Sequence, residues 1–320
     1  MAVYYFDFDT GSDSNVAPYS PTNALQNLPG TTEATGNAAF NPQPGDVLNL
    51  ARGSVWEISE QWLWTSSDSG TSGSPVIVQA HDRDGETGQP KPIVDLFTIF
   101  QSSDWTYFSA DGGRIWYADL PAGTTTVRRV FFDYVGQKPG ATGTGQLNAT
   151  TPWYFNSATS PPRLYIFNGS TSQTPNQTEG DVRCTRHSTS NGEFVVWLRN
   201  AAYISFENIT FRGSNQYSIN IGNSALGVNC GGITIKNCDI HYSGRTGIQM
   251  DPQVAQDYVG QLLIESNDID SKWSTNENTG VSDFATNNNN GINVTSGINN
   301  NLTIRYNRVV GFAHTNIQLN

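Results

Sequence analysis

The residues that could do chemistry lie close together in the last third of the sequence. In GGITIKNCDIHYSGRTGIQM (residues 231–250), Asp239 and His241 stand two positions apart. Asp268 and Asp270 repeat this spacing 29 residues later, in the stretch LLIESNDID. Two carboxylates about 5 Å apart are the pair that retaining glycosidases use as nucleophile and acid. Local salt bridges on a solvated face are the alternative interpretation of these residues.

A second pair of charged residues, Arg245 and Asp251, flanks the apolar residues Ile248 and Met250. An arginine beside a carboxylate could bind a uronate or stabilise an enolate. An arginine that donates to turn carbonyl groups is the alternative. The predicted catalytic candidates are therefore Asp239, Asp268, His241, Asp270, Arg245 and Asp251, and no His/Cys spacing typical of a metal site accompanies them.

These residues belong to a sequence repeat. Its four units are YISFENITF, GITIKNCDIH, LLIESNDID and LTIRYNRVV, in which the first shared apolar positions are 29, 29 and 40 residues apart. A second apolar pair follows each unit: Ile219/Ile221, Ile248/Met250, Ile292/Val294 and Ile317/Leu319. Short alternating strands at this period predict a solenoid, because each unit can bury its apolar face only against the next unit. Equivalent strands then stack in parallel.

Two columns of residues support this register. The outward residues at one shared offset are Glu207, Lys236, Glu265 and Arg305, whose charges alternate from unit to unit. Opposite charges on neighbouring strands stabilise a sheet, so the alternation favours this alignment. Asn267 and Asn307 share another offset. We expect them to form an asparagine ladder along the stack.

The strand–turn–strand–loop–strand unit, the asparagine column and the SGRTGI bend resemble the right-handed parallel β-helix proteins of the pectin-lyase-like superfamily. The segment PGDVLNLARGSVW (44–56) resembles the first turn of that fold, and YYFDFDTGSDSN resembles the start of many secreted or phage-borne members. The resemblance implies an all-β, right-handed parallel β-helix with an inserted β module. It implies no single activity, since the superfamily includes lyases, hydrolases, epimerases, phage tailspikes and adhesins. The polygalacturonase and pectate lyase signature motifs are absent from this sequence.

The resemblance also implies where a substrate would lie, which is across the strand that carries the second apolar pair. The outward residues there are four amides: Asn220, Gln249, Asn293 and Gln318. Amides hydrogen-bond to sugar hydroxyls but cannot act as acid or base at neutral pH. A solvated polar face is the alternative. We predict these four residues to bind substrate together with Trp273, which lies in an insertion before Asn293 and either stacks on a sugar or anchors its loop.

Composition excludes several classes of partner. The net charge is −11 and no basic patch is present, which argues against nucleic acid and anionic membrane surfaces. No apolar run is long enough to cross a bilayer. Three cysteines, Cys184, Cys230 and Cys238, do not make a disulfide framework. No cofactor is predicted. Asp239 and Asp268 could form part of a Ca²⁺ site, although Ca²⁺ takes about 6–8 oxygen ligands and only two or three can be named.

The predicted organisation has four parts. Residues 1–43 form an N-terminal arm, 44–103 the first turns, 104–182 an inserted β module, and 183–320 the regular turns. No cap is visible at the C-terminal end, so we expect a homotrimer or larger assembly to cover it.

The function predicted from these features is recognition of a polysaccharide or cell-surface glycan by a phage tail spike or fibre, with or without depolymerase activity. The visible N-terminus has no signal peptide, which favours a virion protein, although an extracellular protein whose leader was removed fits as well. The alternatives are a secreted polysaccharide lyase or glycoside hydrolase and a non-catalytic structural or adhesin module.

Overall fold

The computed structural model describes residues 1–83, 85–109, 114–137, 141, 143–188, 194–222, 230–251, 261–272, 290–294, 301–312 and 314–319. Strands dominate these residues, which confirms the predicted all-β class. The other regular elements among them are one short α-helix, Pro175–Glu179, and 3-10 turns at Gly36–Ala38, Ser66–Asp68, Ser102–Asp104 and Thr144–Gln146.

Three parallel sheets hold most of the strands. The first, in spatial order, contains Val3–Phe6, Val47–Ala51, Val76–His81, Ile204–Glu207, Thr234–Lys236, Leu262–Glu265 and Leu302–Arg305. The second contains Val55–Glu57, Ile93–Asp95, Thr210–Arg212, Asp239–His241, Asp268–Asp270 and Arg308–Val310. The third contains Trp62–Trp64, Phe194–Arg199, Tyr217–Gly222, Thr246–Asp251, Asn290–Val294 and Thr315–Leu319.

The strand pairings confirm the register that the repeat predicts. In the first parallel sheet Glu207 pairs with Lys236, Lys236 with Glu265, and Glu265 with Arg305. Arg305 Nη2 lies 2.6 Å from Glu265 Oε2, so the charge column forms a real ion pair at its end. The inward apolar positions of the first three units, such as Ile235 and Ile264, are at most 1% exposed, whereas Leu302, Ile304 and Val309 of the fourth unit are half-buried.

The corner between the first and second parallel sheets explains why asparagine recurs in the repeat. Asn208, Asn237, Ser266 and Tyr306 occupy this corner in successive units with φ between 51° and 60°, a left-handed conformation that asparagine tolerates well. The predicted asparagine ladder follows at the next position. Asn267 Nδ2 donates to Asn307 Oδ1 at 2.9 Å, and Asn267 Oδ1 accepts from the backbone N–H of Cys238 at 2.8 Å.

The first 43 residues do more than form an arm. Their strand Val3–Phe6 pairs with Val47–Ala51 and extends the first parallel sheet. Phe6, Leu25 and Leu28 are fully buried in the same hydrophobic core as the repeat. At the other end Ile317 and Leu319 are 43% and 62% exposed, and the assembly predicted to cover them stays a prediction.

An antiparallel module interrupts the parallel strands. One of its sheets contains Thr98–Phe100, Thr124–Phe132, Val135–Gln137 and Val182–Ser188, and the other contains Trp105–Phe108, Ile115–Asp119, Trp153–Asn156 and Arg163–Phe167. Its strands therefore begin and end a few residues beyond the predicted bounds of 104 and 182. The module buries hydrophobic clusters of its own, separate from the core of the parallel sheets.

Polar contacts hold this module against the parallel sheets. Arg183 on the module reaches Asp95 of the second parallel sheet at 3.3 Å, and Arg212 approaches the same carboxylate at 2.7 Å. Arg129, another module residue, donates to the carbonyl oxygens of Ser243 and Ser271 at the corners that follow the second parallel sheet. The module is thus fixed to the turns that lead toward the third parallel sheet.

Candidate functional site

The charged residues predicted from the sequence lie on the outer face of the second parallel sheet. Asp239 pairs in register with Asp268, and His241 pairs with Asp270, as the repeat predicts. The His241 ring, however, contacts Asp268, with Nε2 3.3 Å from Oδ2. The four residues are therefore brought together on two neighbouring strands.

Each carboxylate on this face has a cation beside it. Lys91 Nζ lies 2.7 Å from Asp239 Oδ1. Arg308 Nη1 lies 2.6 Å from Asp268 Oδ1 and 3.1 Å from Asp270 Oδ2. These ion pairs offset the repulsion between like charges on adjacent strands.

The ion pairs also determine the protonation states of these groups. Partial burial acts to raise the pKa of Asp268, but the hydrogen bonds and charges of Arg308 and His241 outweigh it and hold the pKa below its usual value. The pKa of Asp270 is likewise lowered, because hydrogen bonds from Lys272 and Arg308 outweigh its burial. A glycosidase acid needs a raised pKa, so neither Asp268 nor Asp270 suits that role in this state.

Burial lowers the pKa of His241, with the charge of Lys272 acting in the same direction, so the imidazole is neutral at pH 7. The pKa values of His241, Asp268 and Asp270 are all lower in the folded protein than in the unfolded chain. At acidic pH the folded protein therefore binds fewer protons at these three groups than the unfolded chain does. Their contributions to stability are therefore lost as pH falls. The loss begins below about 6.5 for His241 and below about 4 for Asp268 and Asp270.

We expect Arg308→Gln to flatten the acid side of the stability profile, because it removes the cation shared by Asp268 and Asp270. The free energy of unfolding from urea titrations between pH 3 and pH 7 measures this effect. The variant should lose stability at pH 7 and approach the wild type near pH 3. A constant difference across that range would contradict the assignment.

Arg245 and Asp251 lie too far apart for the direct pair considered above. Arg245 precedes the strand Thr246–Asp251 and Asp251 ends it. Six extended residues separate their Cα atoms by about 20 Å. Arg245 Nη1 instead lies 3.4 Å from Gln216 Oε1, and its buried Nε has no hydrogen-bond partner within the described residues.

The predicted amide column exists on the outer side of the third parallel sheet, but it is not a solvated face. Asn220 pairs with Gln249, Gln249 with Asn293, and Asn293 with Gln318. The first three are only 9%, 3% and 1% exposed, and Gln318 is half-buried. The interpretation as an ordinary solvated sheet is therefore wrong for Asn220, Gln249 and Asn293.

The buried amides are incompletely hydrogen-bonded. Asn293 Nδ2 donates to Gln249 Oε1 at 2.9 Å. The Oδ1 atoms of Asn220 and Asn293 have no partner in the part of the chain that the structure describes. An unsatisfied buried acceptor costs about 1–3 kcal/mol, so this column is suited to accept hydrogen bonds from something else.

Sequence reasoning missed the aromatic member of this column. Trp197, on the strand Phe194–Arg199, pairs directly with Asn220 and is half-buried. Phe194 packs edge-on against its ring, and Arg199 Cζ lies 4.8 Å from the ring centroid. The sequence FVVWLR contains the alternating apolar residues that mark such a strand, Val196 and Leu198, which pair with Ile219 and Ile221. It was missed because no complete repeat unit surrounds it. Trp273 lies outside the described residues.

Among the described residues, no group of three or more His, Cys, Asp or Glu side chains could hold a metal ion. No helix in this part of the chain is long and apolar enough to cross a membrane.

Comparison with known proteins gives similarity in structure only. No family model matches the sequence, and no curated protein matches it. A solved structure of a glycoside hydrolase matches 92% of this chain and 68% of its own, with a TM-score of 0.57 and 10% identity. XylC in complex with xylose matches 98% of this chain and 60% of its own, with a TM-score of 0.54 and 14% identity.

A third structure is the GH136 lacto-N-biosidase from Eubacterium ramulus, with a TM-score of 0.40 and 16% identity over 83% of this chain. The chain spans about a third of the length of that enzyme, namely 34%. The two structures with TM-scores above 0.5 share their fold with this chain. The phage tail spike assignment finds no support among these structures.

Proposed function

We propose that this protein is a right-handed parallel β-helix of the pectin-lyase-like kind that binds a glycan along the outer side of its third parallel sheet and hydrolyses it. The observation that carries the proposal is the column of Trp197, Asn220, Gln249 and Asn293. It combines an aromatic ring with buried amide oxygens that have no partner among the residues the structure describes.

A glycan fits this column chemically. Amide side chains hydrogen-bond to sugar hydroxyls, and the apolar face of a pyranose ring can pack on an indole. Trp197 is half-buried and Asn220 is 9% exposed, whereas Asn293 is 1% exposed. We therefore assign the first contact with the glycan to Trp197 and Asn220. Gln249 and Asn293 support them from deeper positions.

Hydrolysis is favoured over binding alone because both structures above a TM-score of 0.5 are carbohydrate-associated, one a glycoside hydrolase and the other a xylose complex. Asp251 ends the strand that carries Gln249 and pairs with Gly222, so its backbone lies on the same sheet as the proposed binding column. We propose Asp251 as the carboxylate to test for catalysis. Binding without turnover, as in an adhesin or tail spike, is the second candidate, and the ionised, paired state of Asp268 and Asp270 favours it.

A panel of neutral and uronic-acid polysaccharides tests this proposal. The expected result is release of reducing ends without ultraviolet absorbance from unsaturated products, abolished by Asp251→Asn. Absorbing products would indicate a lyase instead. Saturable binding without any product would support the second candidate. The absence of both binding and product across the whole panel would refute the proposal.

We expect Trp197→Ala to weaken glycan binding about tenfold, since an aromatic contact contributes about 0.5–1.5 kcal/mol. The affinity is measured by titration calorimetry and the thermal midpoint by calorimetric unfolding. Asn220→Leu is the companion variant. It removes an unpaired buried acceptor, so it should lower affinity while leaving the midpoint unchanged or higher. Unchanged affinity in both variants would exclude this column as the binding surface.

A further inference from the structure

A groove on a different face of the protein has the features of a second ligand site. It lies on the outer side of the first parallel sheet and has a volume of about 560 Å³. Its floor is the outward column of Ile77, Ser205, Thr234 and Leu263, one residue from each of four stacked strands. Three steps of about 4.8 Å make the floor roughly 14 Å long.

Tyr203 forms one wall of this groove and is held there by the backbone. Its φ is 56°, a left-handed conformation that costs a non-glycine residue about 1–3 kcal/mol. Two hydrogen bonds keep it in place, from Tyr203 N to Gly231 O at 2.9 Å and from Val76 N to Tyr203 O at 3.0 Å. The backbone therefore fixes the position of the Tyr203 side chain at the groove.

The next turn of the repeat makes room for the Tyr203 ring. Gly232 lies one repeat after Tyr203, and a Cβ atom there would lie 2.2 Å from Tyr203 Cδ1. The ring therefore rests on the backbone of the next turn and lies along the stack. Gln261 takes the same corner position one repeat later and is exposed at the groove.

The floor and the opposite wall show what the groove would bind. Ile77 and Leu263 are half-buried aliphatic residues that point outward, and the hydroxyl residues Ser205 and Thr234 lie between them. The wall continues with Glu207 and Lys236, whose charges cancel, and the Glu207 carboxylate accepts from Ser205 Oγ at 2.8 Å. Alternating apolar and hydrogen-bonding groups, beside an aromatic ring and two side chains of opposite charge, suit an uncharged ligand with many hydroxyl groups.

We infer that this groove binds a neutral glycan segment about three sugar residues long, at a site separate from the column of Trp197 and Asn220. Tyr203 packs against a sugar ring, while Gln261, Thr234 and Lys236 hydrogen-bond to hydroxyls. The inference takes its class of ligand from the proposed function. A second site of this kind would hold a long polysaccharide on the protein while another segment of the chain occupies the third parallel sheet.

The test uses the full chain and three neutral probes: xylohexaose, cellohexaose and mannohexaose. Tyr203→Asn removes the ring but keeps a residue that tolerates the left-handed conformation. Tyr306→Asn is the matched control, because Tyr306 has φ 58°, is 80% exposed and lies outside the groove. Both changes are made in the wild type and in the Trp197→Ala background, and titration calorimetry gives affinity and stoichiometry.

The expected result is two sites in the wild type for at least one probe, of which Trp197→Ala weakens one. Tyr203→Asn should weaken the other site at least tenfold in both backgrounds, and Tyr306→Asn should not. If Tyr203→Asn folds poorly, Leu263→Asp tests the same site. The charge that it places on the groove floor should also weaken binding there at least tenfold.

Four outcomes separate this inference from the proposed function. Binding that Trp197→Ala abolishes and Tyr203→Asn leaves intact would overturn the groove site alone. Binding that only Tyr203→Asn and Leu263→Asp reduce would support the groove and count against the third parallel sheet. Equal losses in Tyr203→Asn and Tyr306→Asn would overturn the groove, and no binding by the wild type would overturn both sites.

Discussion

Asp95→Asn should destabilise the protein by about 3–5 kcal/mol, because it removes the fully buried carboxylate that two half-buried arginines share. One of them, Arg183, also pairs with Asp181. Asp95 is fully buried. Its Oδ2 lies 2.7 Å from Arg212 Nη2 and 3.3 Å from Arg183 Nη1. Its Oδ1 accepts from the backbone N–H of Phe97 at 3.0 Å. The free energy of unfolding from urea titration at pH 7 measures the loss.

Asp119→Asn is the matched control for this prediction. Asp119 pairs with Arg163 at 2.8 Å within the antiparallel module, but its side chain is 50% exposed. Pairs of that kind contribute less than about 1 kcal/mol. Similar losses in the two variants would show that the Asp95 pairs contribute no more than surface pairs do, which would contradict the buried-network assignment.

Tyr134 shows why the same network could not be predicted from the sequence. Asp133 and Tyr134 form the two-residue turn between Thr124–Phe132 and Val135–Gln137, with φ of 48° and 64°. Turns of this type favour glycine at the second position. The Tyr134 ring lies beside Arg183 and Arg212, with Cζ atoms 4.4 Å and 5.2 Å from its centroid. Residues from three separate parts of the sequence meet here, and no local pattern connects them.

The register of the repeat, by contrast, could be predicted because its cause is local. Apolar residues at fixed offsets must all face one core, and a shift by one residue would expose every one of them. The pairings of Asp239 with Asp268 and of Asn220 with Gln249 followed from that constraint. The partners of these side chains did not, since Lys91 lies 148 residues before Asp239 and Arg308 lies 40 residues after Asp268.

The burial of the amide column was also beyond local reasoning. An outward position on a strand predicts exposure only when nothing packs over the sheet. Asn293 faces outward by register and is nevertheless 1% exposed. Trp197 was missed for a related reason, because its strand joins the third parallel sheet without the turn and asparagine that mark the later units. For Asn293 the position in the stack could be predicted, while the environment around it depended on distant parts of the chain. For Trp197 the position itself was not predicted.

Arg129→Met should destabilise the protein by about 2–4 kcal/mol, because the two carbonyl groups that lose their donor are buried with the arginine. Arg129 is 1% exposed, and its Nη1 donates to Ser271 O at 2.8 Å and to Ser243 O at 3.0 Å. Methionine keeps much of the side-chain volume but has no donor. Arg129→Lys should recover only part of the loss, since one ammonium lacks the planar fork that reaches several acceptors.

This arginine also links the module to the proposed binding column, which gives the variant a second measurable effect. Ser243 lies at the corner just before Thr246–Asp251, the strand that carries Gln249. Loss of the Arg129 contact should therefore speed amide hydrogen exchange along that strand and weaken glycan binding, in addition to lowering the unfolding free energy. Arg305→Met is the control, because Arg305 is 52% exposed and pairs with Glu265 on the outer face of the first parallel sheet. If both variants gave the same exchange rates in Thr246–Asp251, the module would not be what holds that strand in place.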